Sequence, residues 1–149
     1  MKPSQIKPPT YLLIALIMML GMHFLLPSIG LISQPWTLLG LIPLSLGFVI
    51  NLSADRAFHQ SETTVSPFGI STTLVTHGPY QFTRNPMYLG FILILFGVAV
   101  LLGSLLPLII VPAYGYLMDK LFIRMEEQKL AATFDQEWVR YKNRTRRWL

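Results

Sequence analysis

Two short runs hold the residue types best suited to chemistry in this 149-residue chain: Arg84-Asn85-Pro86-Met87-Tyr88 and Glu126-Glu127. An arginine presents a planar fork that grips a carboxylate through two parallel hydrogen bonds, so Arg84 and Arg124 are both candidates for holding one. Tyr80 and Tyr88 offer ring faces to a cation. Asn85 has the side chain of an N-cap and Pro86 suits a first helical position, so a helix starting there would turn its free N–H groups toward an anion. Glu127 lies three residues before Leu130 and seven before Phe134, on the face those residues form with Trp138 and Tyr141. A carboxylate on an apolar face is costly unless it is paired, so a positive group is expected to meet Glu127. Glu126 is expected to point away from that stripe.

Each of these residues also has a plain structural use. Gly78-Pro79 is ordinary turn chemistry, Arg84 can be a charge flanking a hydrophobic span, and tyrosines anchor at membrane interfaces. The glutamates can make charge pairs along a solvated helix. His77 and His59 read as loop histidines.

The elements that must position these residues are hydrophobic. Apolar residues make up 52% of the chain and charged residues 13%, about half the charge of a soluble domain. There are no cysteines, which excludes disulfides, thiolate zinc, iron–sulfur ligation and a cysteine nucleophile; no metal site is expected. Four apolar stretches, about 11–27, 36–54, 87–102 and 105–123, predict an all-α integral membrane protein of about four transmembrane helices. The third is short for a span, and with the fourth it predicts a tight hairpin turning at Gly103-Ser104. The first follows Lys2 and Lys7, but no small-residue cleavage site follows it, so it reads as a retained helix. His23 within it is expected to face the bundle. The polar loop 55–85 keeps Val65, Phe68, Ile70, Leu74 and Val75 and so can pack. Residues 124–141 predict an amphipathic helix. The whole is read as a single domain, 1–149.

The basic residues fall before the first stretch, between the second and third, and at or after the end of the fourth; the connections 28–35 and 103–104 contain none. That asymmetry predicts both termini and the C-terminal helix in the cytoplasm. The tail Arg140–Leu149 carries five basic residues and no acidic one. Beside a span, such a run faces anionic lipid rather than nucleic acid.

Taken together, the motifs resemble the isoprenylcysteine carboxyl methyltransferases and the related phospholipid methyltransferases. The resemblance rests on Leu74-Val75-Thr76-His77-Gly78-Pro79-Tyr80, on Arg84-Asn85-Pro86-Met87-Tyr88, on the following hydrophobic hairpin, on Glu126-Glu127, and on Phe134, Trp138, Tyr141 and the basic tail. It covers residues 71–149, and Asn85 stands where the isoprenylcysteine enzymes carry histidine. The resemblance implies an S-adenosylmethionine-dependent methyltransferase with a cytoplasm-facing cofactor pocket. Carried over, the pocket comprises Thr72, Thr73, Leu74, Val75, His77, Gly78, Tyr80, Asn85, Pro86, Met87, Tyr88, Glu126 and Glu127.

A cofactor ammonium would pair with a glutamate, Glu127 being favoured for its place on the apolar face. A carboxylate acceptor needs no base and would be held by Arg84 or Arg124; an amine would need one, His77 or a glutamate. Arg84, Arg124 and Glu127 are thus the catalytic candidates. The expected acceptor is a lipophilic or lipidated molecule arriving through the bilayer, in a multi-pass protein of a prokaryotic plasma membrane. Two other readings stand beside this one: an NADPH-dependent sterol-type reductase, and a non-enzymatic membrane scaffold.

Overall fold

In the computed structural model, residues 6–26, 29–61 and 72–149 are described. Helix α1 runs Pro8–Leu25, with proline in its first turn. A 3₁₀ turn, Trp36–Gly40, leads into α2, Leu41–Gln60. Helix α3 is Pro86–Leu102, α4 is Leu105–Met118, and α5 is Arg124–Arg144. Among the described residues there are no strands, only two isolated bridges, Gly30 to Ser104 and Thr83 to Arg146.

Among the described residues, three helical stretches are long and apolar enough to cross a membrane: Pro8–Leu25, Trp36–Gln60, and the continuous run beginning at Leu105. The apolar part of that run ends by Ile123, and α5 opens with Arg124, Glu126, Glu127 and Lys129. Large side chains such as Leu13, Ile17 and Phe24 of α1 and Phe48 and Leu52 of α2 are exposed. An outer surface of that kind suits lipid.

Helix α3 has only 17 residues, yet it is the centre of the bundle. It packs against α1, α2 and α4, and buries Tyr88, Ile94, Leu95 and Ala99. Its contact with α2 is backbone against backbone. A Cβ placed on Gly47 would lie 2.6 Å from the Gly90 carbonyl, and one on Gly97 would lie 2.7 Å from Leu44. Glycines two turns apart on each helix therefore permit the close approach, as small residues do in membrane bundles.

The expected α3–α4 hairpin turns at Gly103, whose φ of 66° is left-handed and suits glycine. The Gly103 carbonyl accepts from the Leu31 and Ile32 amides. His23 faces the bundle, with Nδ1 2.7 Å from the Ser104 hydroxyl.

Two expectations change. The loop predicted from residue 55 starts only after Gln60. Ala54 and Ala57 of α2 are buried against Val75 and Tyr80, and Asp55 and His59 sit one turn apart on the exposed side. The charges that end the hydrophobic stretch therefore do not end the helix. Val65, Phe68 and Ile70 lie outside the described residues, while Leu74 and Val75 are buried. The C-terminal helix starts at Arg124 as expected, but it follows α4 without a break and runs past residue 141. Helix α4 runs into α5 through a π-turn, Asp119–Ile123, and α5 continues to Arg144 with a kink at Asp135.

Candidate functional site

The site forms where the start of α3 meets the start of α5. Gly78, with φ 61°, opens a 3₁₀ turn, Gly78–Gln81, that drives Tyr80 inward. The Tyr80 ring meets Phe58 edge-on at 5.3 Å, and its carbonyl accepts the Tyr141 hydroxyl at 2.8 Å. Burial pushes the Tyr80 and Tyr141 phenols up from their ordinary value, so both stay neutral. Leu74 packs with Trp138 and Tyr141, flanked by Leu130 and Phe134. The apolar stripe of α5 thus holds the loop against the helix.

Helix α3 begins at Pro86 as the sequence predicts, but Asn85 does not cap it with its side chain. The buried Asn85 amide instead donates to the Arg147 carbonyl at 3.0 Å. Thr83 does the same through its hydroxyl, also at 3.0 Å.

The expected cation at Glu127 is present twice. Arg84 donates from Nε and Nη2 to Glu127 Oε1 at 3.2 and 3.0 Å, and Arg147 reaches the same oxygen through Nε at 3.2 Å. Arg147 Nη2 is bound to Oε2. The remaining Arg84 nitrogen, Nη1, donates to the Thr145 carbonyl at 2.7 Å and to that of Lys142 at 3.1 Å. The Arg84 side chain is only 8% exposed, and its whole fork is engaged by Glu127 and the tail carbonyls. The hydrogen bond to Glu127 holds the Arg147 guanidinium up beyond its ordinary value, against the opposing effect of burial.

Glu126 points away from the α5 stripe, as expected, but toward another occupied surface. The Tyr88 hydroxyl donates to Glu126 Oε1 at 2.7 Å. The residue keeps some solvent contact while its carboxyl lies deep. Burial pushes that carboxyl up to about 7, against the opposing effects of the Tyr88 hydrogen bond and of Lys129. The Tyr88 ring stacks on Phe122 of the π-turn at 6.5 Å and 25°.

Arg124 is half exposed and pairs with Asp119 at 2.8 Å. Beside the Glu127 clamp lies an open cavity of about 440 Å³, lined among others by Arg124, Gln128, Trp138 and Lys142. Thr72, Thr73, His77 and Gly78 are exposed, and Pro86 and Met87 sit at the base of α3 with Met87 against the Tyr80 cluster. Deeper in the bundle the Tyr114 hydroxyl is buried without a hydrogen-bond partner.

Sequence reasoning missed Arg147, Asp119 and Thr83. The basic tail read as lipid-facing; Arg146 is indeed exposed, but Arg147 folds back to Glu127 and Trp148 packs on the core. The one available signal was the unpaired Glu127, which called for a cation without saying from where.

Residues 35–137 match the phospholipid methyltransferase family. Over 122 residues the chain is 32% identical to the protein-S-isoprenylcysteine O-methyltransferase of Saccharomyces cerevisiae, a match that covers 78% of this chain and 50% of that protein. The chain thus spans about half the length of this curated relative. No solved structure matches it.

Proposed function

The chain belongs to the phospholipid and isoprenylcysteine methyltransferase family of membrane proteins, and from that premise we propose that it transfers a methyl group from S-adenosylmethionine to a lipophilic acceptor at the cytoplasmic face of the bilayer. The observation that carries the reading is the junction of Tyr88 with Glu126 and of Arg84 with Glu127. It joins the two halves of the motif, some forty residues apart in sequence, around two adjacent carboxylates.

The residues fit the cofactor. A carboxyl that burial holds near 7 is poised to take a cation, which would restore its charge at neutral pH. Glu127 already has two arginines, so the geometry favours Glu126 over Glu127 for the cofactor ammonium. Tyr88 orients Glu126 through its hydroxyl. Leu74, Val75 and Tyr80 supply an apolar and aromatic wall, in which charge interactions are stronger than in water. When bound, S-adenosylmethionine supplies an electrophilic methyl on a sulfonium; the protein's task is to align an acceptor with it, and positioning alone can contribute about 7–11 kcal/mol in the best cases.

Of the two arginines considered for an acceptor carboxylate, Arg124 keeps an exposed side chain beside the open cavity, and Arg84 does not. For a lipidic acceptor entering between helices, the unpartnered Tyr114 hydroxyl offers a hydrogen bond inside the bundle. The sidedness of the basic residues supports cytoplasmic termini and a cytoplasmic site.

Radiolabelled S-adenosylmethionine and a panel of lipid carboxylates and amines would test the reading. Transfer of label to any of them, abolished in Glu126→Gln, is expected. NADPH binding without S-adenosylmethionine binding would replace it with the reductase reading.

A further inference from the structure

The tail that closes the site lies beyond the family match, which ends at residue 137. Residue 147 nonetheless is tied into the site through both its backbone and its side chain. Its carbonyl accepts from Thr83 and Asn85, and the preceding carbonyl, of Arg146, accepts the Arg84 amide at 2.9 Å. Its side chain binds Glu127 and, through Nη1, Asp119 Oδ1 at 3.3 Å. Next to it, Trp148 packs against the cluster that contains Tyr88, Phe122 and Ile123.

Asp119 opens the π-turn at Asp119–Ile123, and Glu127 lies one turn beyond its end. One extra residue in a turn rotates everything after it by about 100° relative to an unbroken helix. The rotation of α5 about its axis decides whether Glu126 meets Tyr88. A side chain that ties the residue opening the π-turn to the one beside Glu126 fixes that rotation.

We propose that Arg147 is a positioning residue: it latches the tail to the Thr83–Asn85 segment and staples α5 across the π-turn, so that Glu126 is presented to Tyr88 and to the cofactor. The inference rests on the cofactor reading above for its last step only; the latch itself is a property of the unliganded protein. Arg147 rather than the neighbouring Arg146 has this role, because Arg146 leaves its side chain exposed.

Two measurements test it, on full-length protein in detergent with variants Arg147→Lys, Arg147→Ala, Asp119→Asn and the Arg147→Ala/Asp119→Asn pair. The first is amide exchange at Arg84 without cofactor. Arg147→Ala is expected to speed it at least about tenfold, the scale of one charge-assisted hydrogen bond, with Arg147→Lys between that and wild type. The second is affinity for S-adenosylhomocysteine. Arg147→Ala is expected to weaken it about tenfold, Arg147→Lys to recover part of the loss because lysine keeps the charge but not the fork, and the double variant to be little worse than Arg147→Ala alone, since both act through one network. Unchanged exchange at Arg84 overturns the latch. Losses that simply multiply in the double variant, or an Arg147→Ala affinity equal to wild type, overturn the positioning role. If Arg147→Ala does not fold, Arg147→Lys carries both comparisons. If wild type binds no S-adenosylhomocysteine, the cofactor reading and with it the positioning role fail, while Arg84 exchange still decides the latch.

Discussion

Two adjacent carboxylates meet different fates because an α-helix sets neighbours about 100° apart. Glu127 turns to the guanidinium groups of Arg84 and Arg147; Glu126 turns to the Tyr88 hydroxyl. The consequence is a pH dependence whose sign can be worked out. Glu126 is held at about 7 against an ordinary 4.5, so folding favours its protonated form. The cost of ionising it is absent below 4.5, grows between 4.5 and about 7, and is complete above that. A ligand ammonium offsets this cost only when Glu126 is charged. Binding of S-adenosylhomocysteine should therefore tighten as pH rises toward 7 and level off above it, by up to about tenfold per pH unit, as calorimetry at several pH values would read. Tyr88→Phe removes the hydrogen bond that opposes the shift, so the levelling point should move to higher pH. Tyr114→Phe should raise KM for a lipidic acceptor severalfold and leave cofactor affinity unchanged, the loss of one hydrogen bond being worth about 1 kcal/mol. Arg84→Lys should destabilise the folded protein by about 3 kcal/mol, because lysine cannot span Glu127 and the two tail carbonyls and leaves a buried pair broken; a thermal melt in detergent would show it.

At the scale of the element, the helices were legible wherever burial and composition agreed. The start of α3 at Pro86 and the turn at Gly103 follow from local rules. What composition hid was helix that continues past its apolar stretch. Asp55 and Arg56 read as the end of α2, but Ala54 and Ala57 had partners at Val75 and Tyr80 that only the fold supplies. The π-turn was hidden because nothing in Asp119-Lys120-Leu121-Phe122-Ile123 interrupts helix formation. The glycines of α2 and α3 make a prediction of their own. Gly47→Leu should force the Gly90 backbone away, costing about 3 kcal/mol or more through overpacking. Leucine at the surface position Val49 of α2 should cost little. Proteolysis of the purified variants would separate them.

For the whole molecule, the family and the membrane class were readable because many weak signals agreed. The internal wiring of the site was not. Glu127 called for a cation, and the sequence offered Lys120, Arg124, Arg140 and four arginines or lysines beyond; which one folds back depends on where α5 ends and how its tail turns, both set by long-range contacts. The proposed orientation, by contrast, rests on charge alone and is open to a direct check. The chain has no cysteine, so single cysteines at Ser33, Ser61 and Asn143 report sidedness without background. Ser33→Cys should react with an impermeant maleimide on intact cells, and Ser61→Cys and Asn143→Cys only after permeabilisation.

The central claim, that Glu126 is the carboxylate awaiting a cofactor cation, is tested most directly by titrating S-adenosylhomocysteine into detergent-purified wild type and Glu126→Gln at pH 6 and pH 8. Saturable binding that is tighter at pH 8 in wild type, and weak and insensitive to pH in Glu126→Gln, is the predicted result. Equal affinity in the two proteins at both pH values would contradict it.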